Sequence, residues 1–179
     1  GLKLCENLRD QYGFDTLSLM PTNLYGPGDN YHPKNSHVIA ALIKKFHDAV
    51  LNKEKTVTCW GSGLPRREFL HADDLGAAVV FCLEHWDPSS RDAPMDSNGH
   101  VLNHLNVGTG TDISIKELSL KIASITGFKG DIFWDKSKPD GTPRKLLNIS
   151  KIKSIGWSPK VTLKEGLSKT IVKYKEQAY

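Results

Sequence analysis

Cysteine is scarce in this sequence. Cys5, Cys59 and Cys82 are its three, too few and too scattered for a disulfide framework. None forms a Cys-x-x-Cys pair or a Cys/His metal spacing, so no metal is expected and a reducing cytoplasm is the default setting. Long apolar runs are missing too: no window approaches the roughly 18 consecutive apolar residues of a membrane helix. No charged, apolar, small-residue leader opens the chain, so neither targeting nor a membrane partner is expected. Charge of one sign is not in large excess. The formal charge is +4, with Lys and Arg interleaved among Asp and Glu, which argues against a nucleic-acid partner and leaves room for an anionic small ligand.

What is present is an ordinary globular composition, 39% hydrophobic and 25% charged over 179 residues, enough for one domain or one and a half. Leu4, Leu8 and Tyr12 recur at helical spacing over residues 2–12, with Gly13 as a stop. The apolar run 16–20 predicts a buried strand. A helix is expected over about 38–51, with Ser36 or Asn35 as N-cap and Ile39, Leu42, Ile43, Phe46 and Val50 as its stripe. Residues 57–60 and 67–71 are expected to be strands of a hairpin-like unit around the turn at 61–65. A helix from Asp73 or Asp74 to Trp86 should turn Leu75, Ala78, Val79, Cys82 and Trp86 inward. After a surface loop over 87–103, a strand at 105–107 leads through Gly108-Thr109-Gly110 into a helix capped by Ser114 and Glu117 and ended by Gly127. A strand at 131–135, a breaker-rich loop at 138–145, a short helix near Ile152 and a last helix from Thr162, with Glu165 as capping partner, complete the pattern. Strands alternating with helices argue for α/β packing around parallel strands. At most six short strands are visible, too few for a doubly wound sheet. With Gly1 already inside a helical pattern, the chain is expected to be a fragment.

The stretch 21–37 reads as a long polar loop at a strand's carboxyl end, where α/β sheets place ligands. Its tyrosines, histidines and prolines are poor linker material. Asn23, Tyr25, Asp29, His32 and His37 are its candidates, the plain alternative being a capped, proline-stiffened connection. His37 stands at a helix start, a place that favours the neutral imidazole a general base needs. Lys44 and Lys45 belong either to a solvated face or to a phosphate contact. Trp60 suits either core or a nucleobase, and Arg67 suits a bidentate clamp on a diphosphate. Gly108-Thr109-Gly110 lacks the third glycine of a dinucleotide fingerprint and reads as a tight turn. The loop 138–145 sets three cations around Asp140, fit for an anion or for solvent.

Taken together and in order, Pro21-Thr22-Asn23-Leu24-Tyr25-Gly26-Pro27, Asp29-Asn30-Tyr31-His32-Pro33, Ser36-His37-Val38-Ile39, Trp60-Gly61-Ser62-Gly63, Arg67-Glu68-Phe69-Leu70-His71, Asp73-Asp74, Asn106-Val107-Gly108-Thr109-Gly110 and the run from Lys138 to Lys145 resemble the GDP-L-fucose synthases. These are the GDP-4-keto-6-deoxymannose 3,5-epimerase/4-reductases of the extended short-chain dehydrogenase/reductase family. The resemblance covers essentially the whole chain. It implies an α/β fold, the carboxyl-terminal part of such an enzyme. Residues 1–36 and 72–110 would be the remnant of a Rossmann sheet, and 37–71 and 111–179 mainly a small α/β substrate-binding domain. The complete enzyme would epimerise GDP-4-keto-6-deoxy-D-mannose at C3 and C5 and reduce C4 with NADPH, giving GDP-L-fucose.

By the same resemblance Pro21, Thr22, Asn23, Leu24 and His37 would line NADP, and His37 would be one of two acid/base groups. Lys45, Trp60, Arg67, Asp140 and Lys145 would surround the GDP-sugar, Lys45 standing where the family commonly has Arg. The family's glycine loop, its catalytic Ser and Cys and its Tyr-x-x-x-Lys pair find no counterpart. Tyr12, Tyr25, Tyr31 and Tyr174 lead four residues on to Thr16, Asp29, Asn35 and Ala178. The fragment alone is therefore expected to be inactive, and the complete enzyme to be a homodimer joined through helices that include residues 2–12. Two alternatives stand beside this: another nucleotide-sugar epimerase or dehydratase of the superfamily, or a non-catalytic nucleotide- or RNA-binding module.

Overall fold

Gly13 takes up a left-handed conformation (φ 64°) and returns its amide to the Arg9 carbonyl, closing α1 (Leu2–Tyr12) where the sequence places a stop. The computed structural model describes residues 1–33 and 35–177; Lys34, in the polar run before His37, lies outside them. After α1 come β1 (Ser18–Pro21), β2 (Asn23–Tyr25), α2 (Val38–Leu51), β3 (Thr56–Trp60), β4 (Arg66–Arg67), β5 (Phe69–His71) and α3 (Ala72–His85). The second half runs β6 (His104–Val107), β7 (Ile113–Ser114), α4 (Ile115–Thr126), β8 (Asp131–Asp135), β9 (Arg144–Lys145), α5 (Ser150–Ser154) and α6 (Leu163–Gln177). The α/β class and the parallel pairing are as expected. The strands are shorter and more numerous.

β1 pairs in parallel with β6, β2 with β5 and β3 with β8, while β4 lies antiparallel to β7 and parallel to β9. This corrects the hairpin expected over 57–71. β3 finds its partner more than seventy residues later, and the run after the turn divides at Glu68 into two strands that join different sheets. The loop expected over 21–37 likewise contains a strand, β2. β1 is less buried than its apolar run suggests, with Met20 and Pro21 exposed, because among the described residues it is paired along one edge only.

Two apolar clusters hold the chain together. In the first, Ile39, Ile43 and Phe46 of α2 meet Leu118 and Ile122 of α4 and Leu167 and Ile171 of α6, with Val57 and Cys59 of β3. In the second, Ala78 and Cys82 of α3, Trp86, Leu105 and Val107 of β6, Ile152 of α5 and Trp157 close together. Each fully buried large side chain here stabilises the fold by about 1.5–3 kcal/mol. Successive residues of β5 face opposite ways: Phe69 enters the first cluster and Leu70 the second.

Two stripes and one cap need correction. On α2 the inward place expected of Val50 is taken by Ala49, one residue earlier on the same turn. On α3 Val79 is exposed, while Asp74 turns inward and accepts the Lys160 and Val161 amides at 3.0 Å each. The N-cap of α2 is His37, whose carbonyl takes the Ala41 amide, rather than Ser36 or Asn35, whose own amides are drawn into a turn onto the His32 carbonyl. By contrast Ser114 and Glu117 form the expected capping box, and Thr162 with Glu165 forms a second.

Candidate functional site

The turn after β3 is stitched to two distant segments. The Gly63 and Pro65 carbonyls accept the Lys116 and Ile115 amides, and the Arg66 amide donates to the Pro143 carbonyl. Asp140 closes the same seam: its two oxygens accept the Ser62 amide at 2.8 Å and the Ser62 hydroxyl at 2.6 Å. These bonds hold its carboxyl below the usual carboxylate range. The result is a cleft of about 220 Å³ whose walls include Asn23, Val38, Trp60, Pro65, Arg67 and Asp140.

Trp60 stands at its rim with 71% of its surface exposed, and the Lys138 ammonium lies 5.8 Å from the centre of its ring. The Arg67 guanidinium donates to the Arg66 carbonyl at 2.7 Å and passes beside Gly141, where a Cβ would lie 3.0 Å from Nη2. Lys145 is directly across the ladder from Arg67. Exposed aromatic surface next to paired cations suits a flat base carrying a diphosphate.

Asn23, Trp60, Arg67 and Asp140 are thus brought to one cleft. His37 is exposed at the cap of α2, and its neighbour Val38 forms part of the wall. Pro21, Thr22, Leu24, Lys45 and Lys145 are not on that wall. The Lys45 ammonium instead donates to the Thr58 carbonyl of β3 at 2.6 Å. A larger cavity of about 760 Å³, bordered by Arg66, Asp112, Glu117, Lys121 and Lys160, takes in only Arg67 of the residues expected from sequence.

Glu68 is the residue that sequence reasoning passed over. Fully buried, it accepts the Thr109 amide at 2.6 Å and the Gly110 amide at 2.7 Å on one oxygen, and the Leu147 amide at 2.9 Å on the other. Its carbonyl receives the Asn23 side-chain amide at 2.8 Å and the Thr22 hydroxyl at 3.3 Å. The Gly108-Thr109-Gly110 turn therefore wraps a carboxylate of the protein itself. A Cβ at Gly108 would lie 2.3 Å from the Glu68 carboxylate, so a side chain there would push the carboxylate off its amides. The available signal was an acidic residue set between an arginine pair and the apolar Phe69-Leu70, together with a glycine turn in search of an anion. Asp112, between Arg66 and Arg144, is the second omission.

Known proteins share this chain's sequence and fold. The NAD dependent epimerase/dehydratase family matches residues 1–98. A probable GDP-L-fucose synthase from Oryza sativa subsp. japonica is 51% identical over 176 residues, 98% of this chain and 50% of that protein. The GDP-L-fucose synthase of Escherichia coli (strain K12) is 48% identical over 170 residues, 95% of this chain and 52% of that protein. The chain therefore spans about half the length of these relatives. Among solved structures, the GDP-mannoheptose C4 reductase from Campylobacter jejuni with NADP bound superposes with a TM-score of 0.80 at 32% identity, over 97% of this chain and 57% of that one. With more than half of its length answering to one family description, the chain belongs to the NAD dependent epimerase/dehydratase family.

Proposed function

We propose that this chain is the GDP-sugar-binding portion of a GDP-L-fucose synthase. The observation that carries the reading is the cleft itself: an exposed tryptophan, an arginine and an asparagine meet there in a chain about half identical to such synthases along nearly its whole length. Trp60 offers the base a flat face. Arg67, with Lys145 across the ladder from it and Lys45 reaching from α2 to the Thr58 carbonyl, meets the diphosphate, and Asp140 keeps the 138–145 loop against the Trp60 turn. In this reading residues 1–36 and 72–110 belong to the sheet-bearing part, and 37–71 and 111–179 mainly to the substrate part. In support, α2, α4 and α6 share one apolar cluster, while α3 and β6 share the other.

The residues at the end of β1 fit NADP. Thr22 and Asn23 are pinned to the Glu68 carbonyl, and Pro21 and Leu24 leave apolar surface exposed beside them. NADPH, when bound, supplies the hydride that reduces the 4-keto carbon. Inverting a carbon next to a ketone takes a base on one face and an acid on the other. His37 moves one of those protons. The second group and the Tyr-x-x-x-Lys pair that protonates the ketone oxygen have no counterpart among these 179 residues. We therefore expect no turnover from this polypeptide alone, and NADPH oxidation by it in the presence of GDP-4-keto-6-deoxy-D-mannose would refute that expectation. The complete enzyme is read as a cytoplasmic homodimer with no nucleic-acid partner.

Calorimetric titration of the chain with GDP, UDP and dTDP tests the reading. GDP should bind most tightly. Equal or tighter binding of UDP or dTDP would move the protein to another nucleotide-sugar enzyme, and steeply salt-dependent RNA binding without a GDP response would make it a binding module.

A further inference from the structure

Strands β4 and β9 are two residues long, yet they align four cations: Arg66 lies across from Arg144, and Arg67 across from Lys145. Like charges directly opposite one another weaken a strand pair. Because successive residues face opposite sides of a strand, Arg66 and Arg144 share one face and Arg67 and Lys145 the other. The first face carries its own counter-ion. Asp112, with only 5% of its side chain exposed, accepts Arg66 Nε at 2.8 Å on one oxygen and Arg144 Nε on the other. Its carbonyl takes Arg66 Nη2 at 3.0 Å, and a Glu117 oxygen lies 3.7 Å from Arg66. For Arg67 and Lys145 there is no ion pair among the described residues. One face of the ladder is compensated from within the protein and the other is left charged.

We propose that Asp112 is a positioning residue: by tying Arg66 to Arg144 behind the ladder, it keeps Arg67 and Lys145 in register in front, as a two-cation site that selects a diphosphate over a monophosphate. The proposal rests on the reading of the cleft as a nucleoside-diphosphate site. Two linked phosphates engage both cations at once, whereas a single phosphate engages one and leaves the other facing a like charge. The sign of the effect separates positioning from simple field. Asp112 is an anion near an anion site, so if only net charge mattered, removing it would tighten GDP binding.

The experiment measures GDP and GMP affinities by calorimetry for the unmodified chain, Asp112→Asn, and Asp112→Asn combined with Arg144→Gln, which returns the rear face to its original net charge. The expected result is a loss of about tenfold or more in GDP affinity for Asp112→Asn, with GMP changed less than about threefold, and recovery of most of the GDP preference in the double variant. Unchanged or tighter GDP binding by Asp112→Asn overturns the proposal. Should the single variant not fold, the double variant decides: a GDP-to-GMP ratio within about threefold of the unmodified chain's supports the proposal, and a ratio near one overturns it. Pyrophosphate and phosphate are titrated in parallel. Preference for pyrophosphate without GDP binding refutes the nucleotide reading and supports the paired cations; no preference for pyrophosphate overturns the pair.

Discussion

The Glu68 carboxylate lies 2.6 Å from the amide of Thr109, 41 residues away in sequence. That carboxylate also takes the Gly110 and Leu147 amides, and the Glu68 carbonyl takes Thr22 and Asn23. One buried residue therefore fastens the end of β6, the approach to α5 and the start of β2. Glu68→Gln replaces an acceptor-only group with one whose NH₂ must face an N–H donor. Hydrogen bonds to charged groups contribute about 1.5–3 kcal/mol, so urea unfolding should show a loss of that order. At exposed Glu84 the same exchange should stay within about 0.5 kcal/mol. Equal midpoints for the two variants would show that the carboxylate does not hold these segments.

What could be read from sequence and what could not divides along the length of the contacts. The bounds of α2 were legible because Ile39, Leu42, Ile43 and Phe46 repeat at helical spacing, and the capping box of α4 because Ser114 and Glu117 are three residues apart. Strand partners were not. β3 pairs with β8, and the run after the turn splits at Glu68, because side-chain bonds to amides 41 and 79 residues away outweigh its local alternation. The cleft shows the same division. Trp60, Arg67 and Asp140 stand in recognisable motifs, whereas Asp112 has no local signature and draws its meaning from Arg66 and Arg144, 46 and 32 residues distant. The place of His37 as a helix cap was hidden by Ser36 and Asn35, better capping residues by type that the preceding turn had already engaged.

Trp60 allows binding and stability to be separated. Its ring is exposed at the rim of the cleft and stays outside both apolar clusters. Trp60→Ala should therefore leave the unfolding free energy within about 0.5 kcal/mol of the unmodified chain. Stacking a base on an aromatic ring contributes about 1–3 kcal/mol, so GDP affinity should fall by about tenfold or more. Calorimetry beside a urea melt checks both. Loss of stability with unchanged GDP affinity would return Trp60 to the core.

Acid stability should carry the mark of Asp112. Arg144 and then Arg66 hold its carboxyl below the usual carboxylate range. The folded form thus takes up a proton less readily than the unfolded chain, whose aspartates titrate near about 3.9. The contribution to stability is complete above that value and is lost as pH falls through the lower, folded one. Asp140, Glu117 and Glu165 are lowered as well and share the acid window. The gap in Tm between the unmodified chain and Asp112→Asn should accordingly narrow as pH is lowered from about 5 to about 2.5. A gap that does not change with pH would remove the ion pairs from the account.

His37 gives the sharpest test of the chemistry, because its position lets the imidazole be replaced without disturbing the helix. It caps α2 through its backbone, and its side chain makes no capping bond. Asparagine is among the best residues at that position, so His37→Asn should keep or improve the start of the helix while removing a group able to carry a proton. In an enzyme that completes this chain with its glycine loop and Tyr-x-x-x-Lys segment, exchange of solvent deuterium into C3 and C5, followed by NMR, should fall by about 10² or more. Hydride transfer from NADPH to an already epimerised ketone should survive, because the proposed mechanism assigns the reduction proton to a different residue. Equal loss of both steps would mean that His37 binds the substrate and takes no part in moving its protons.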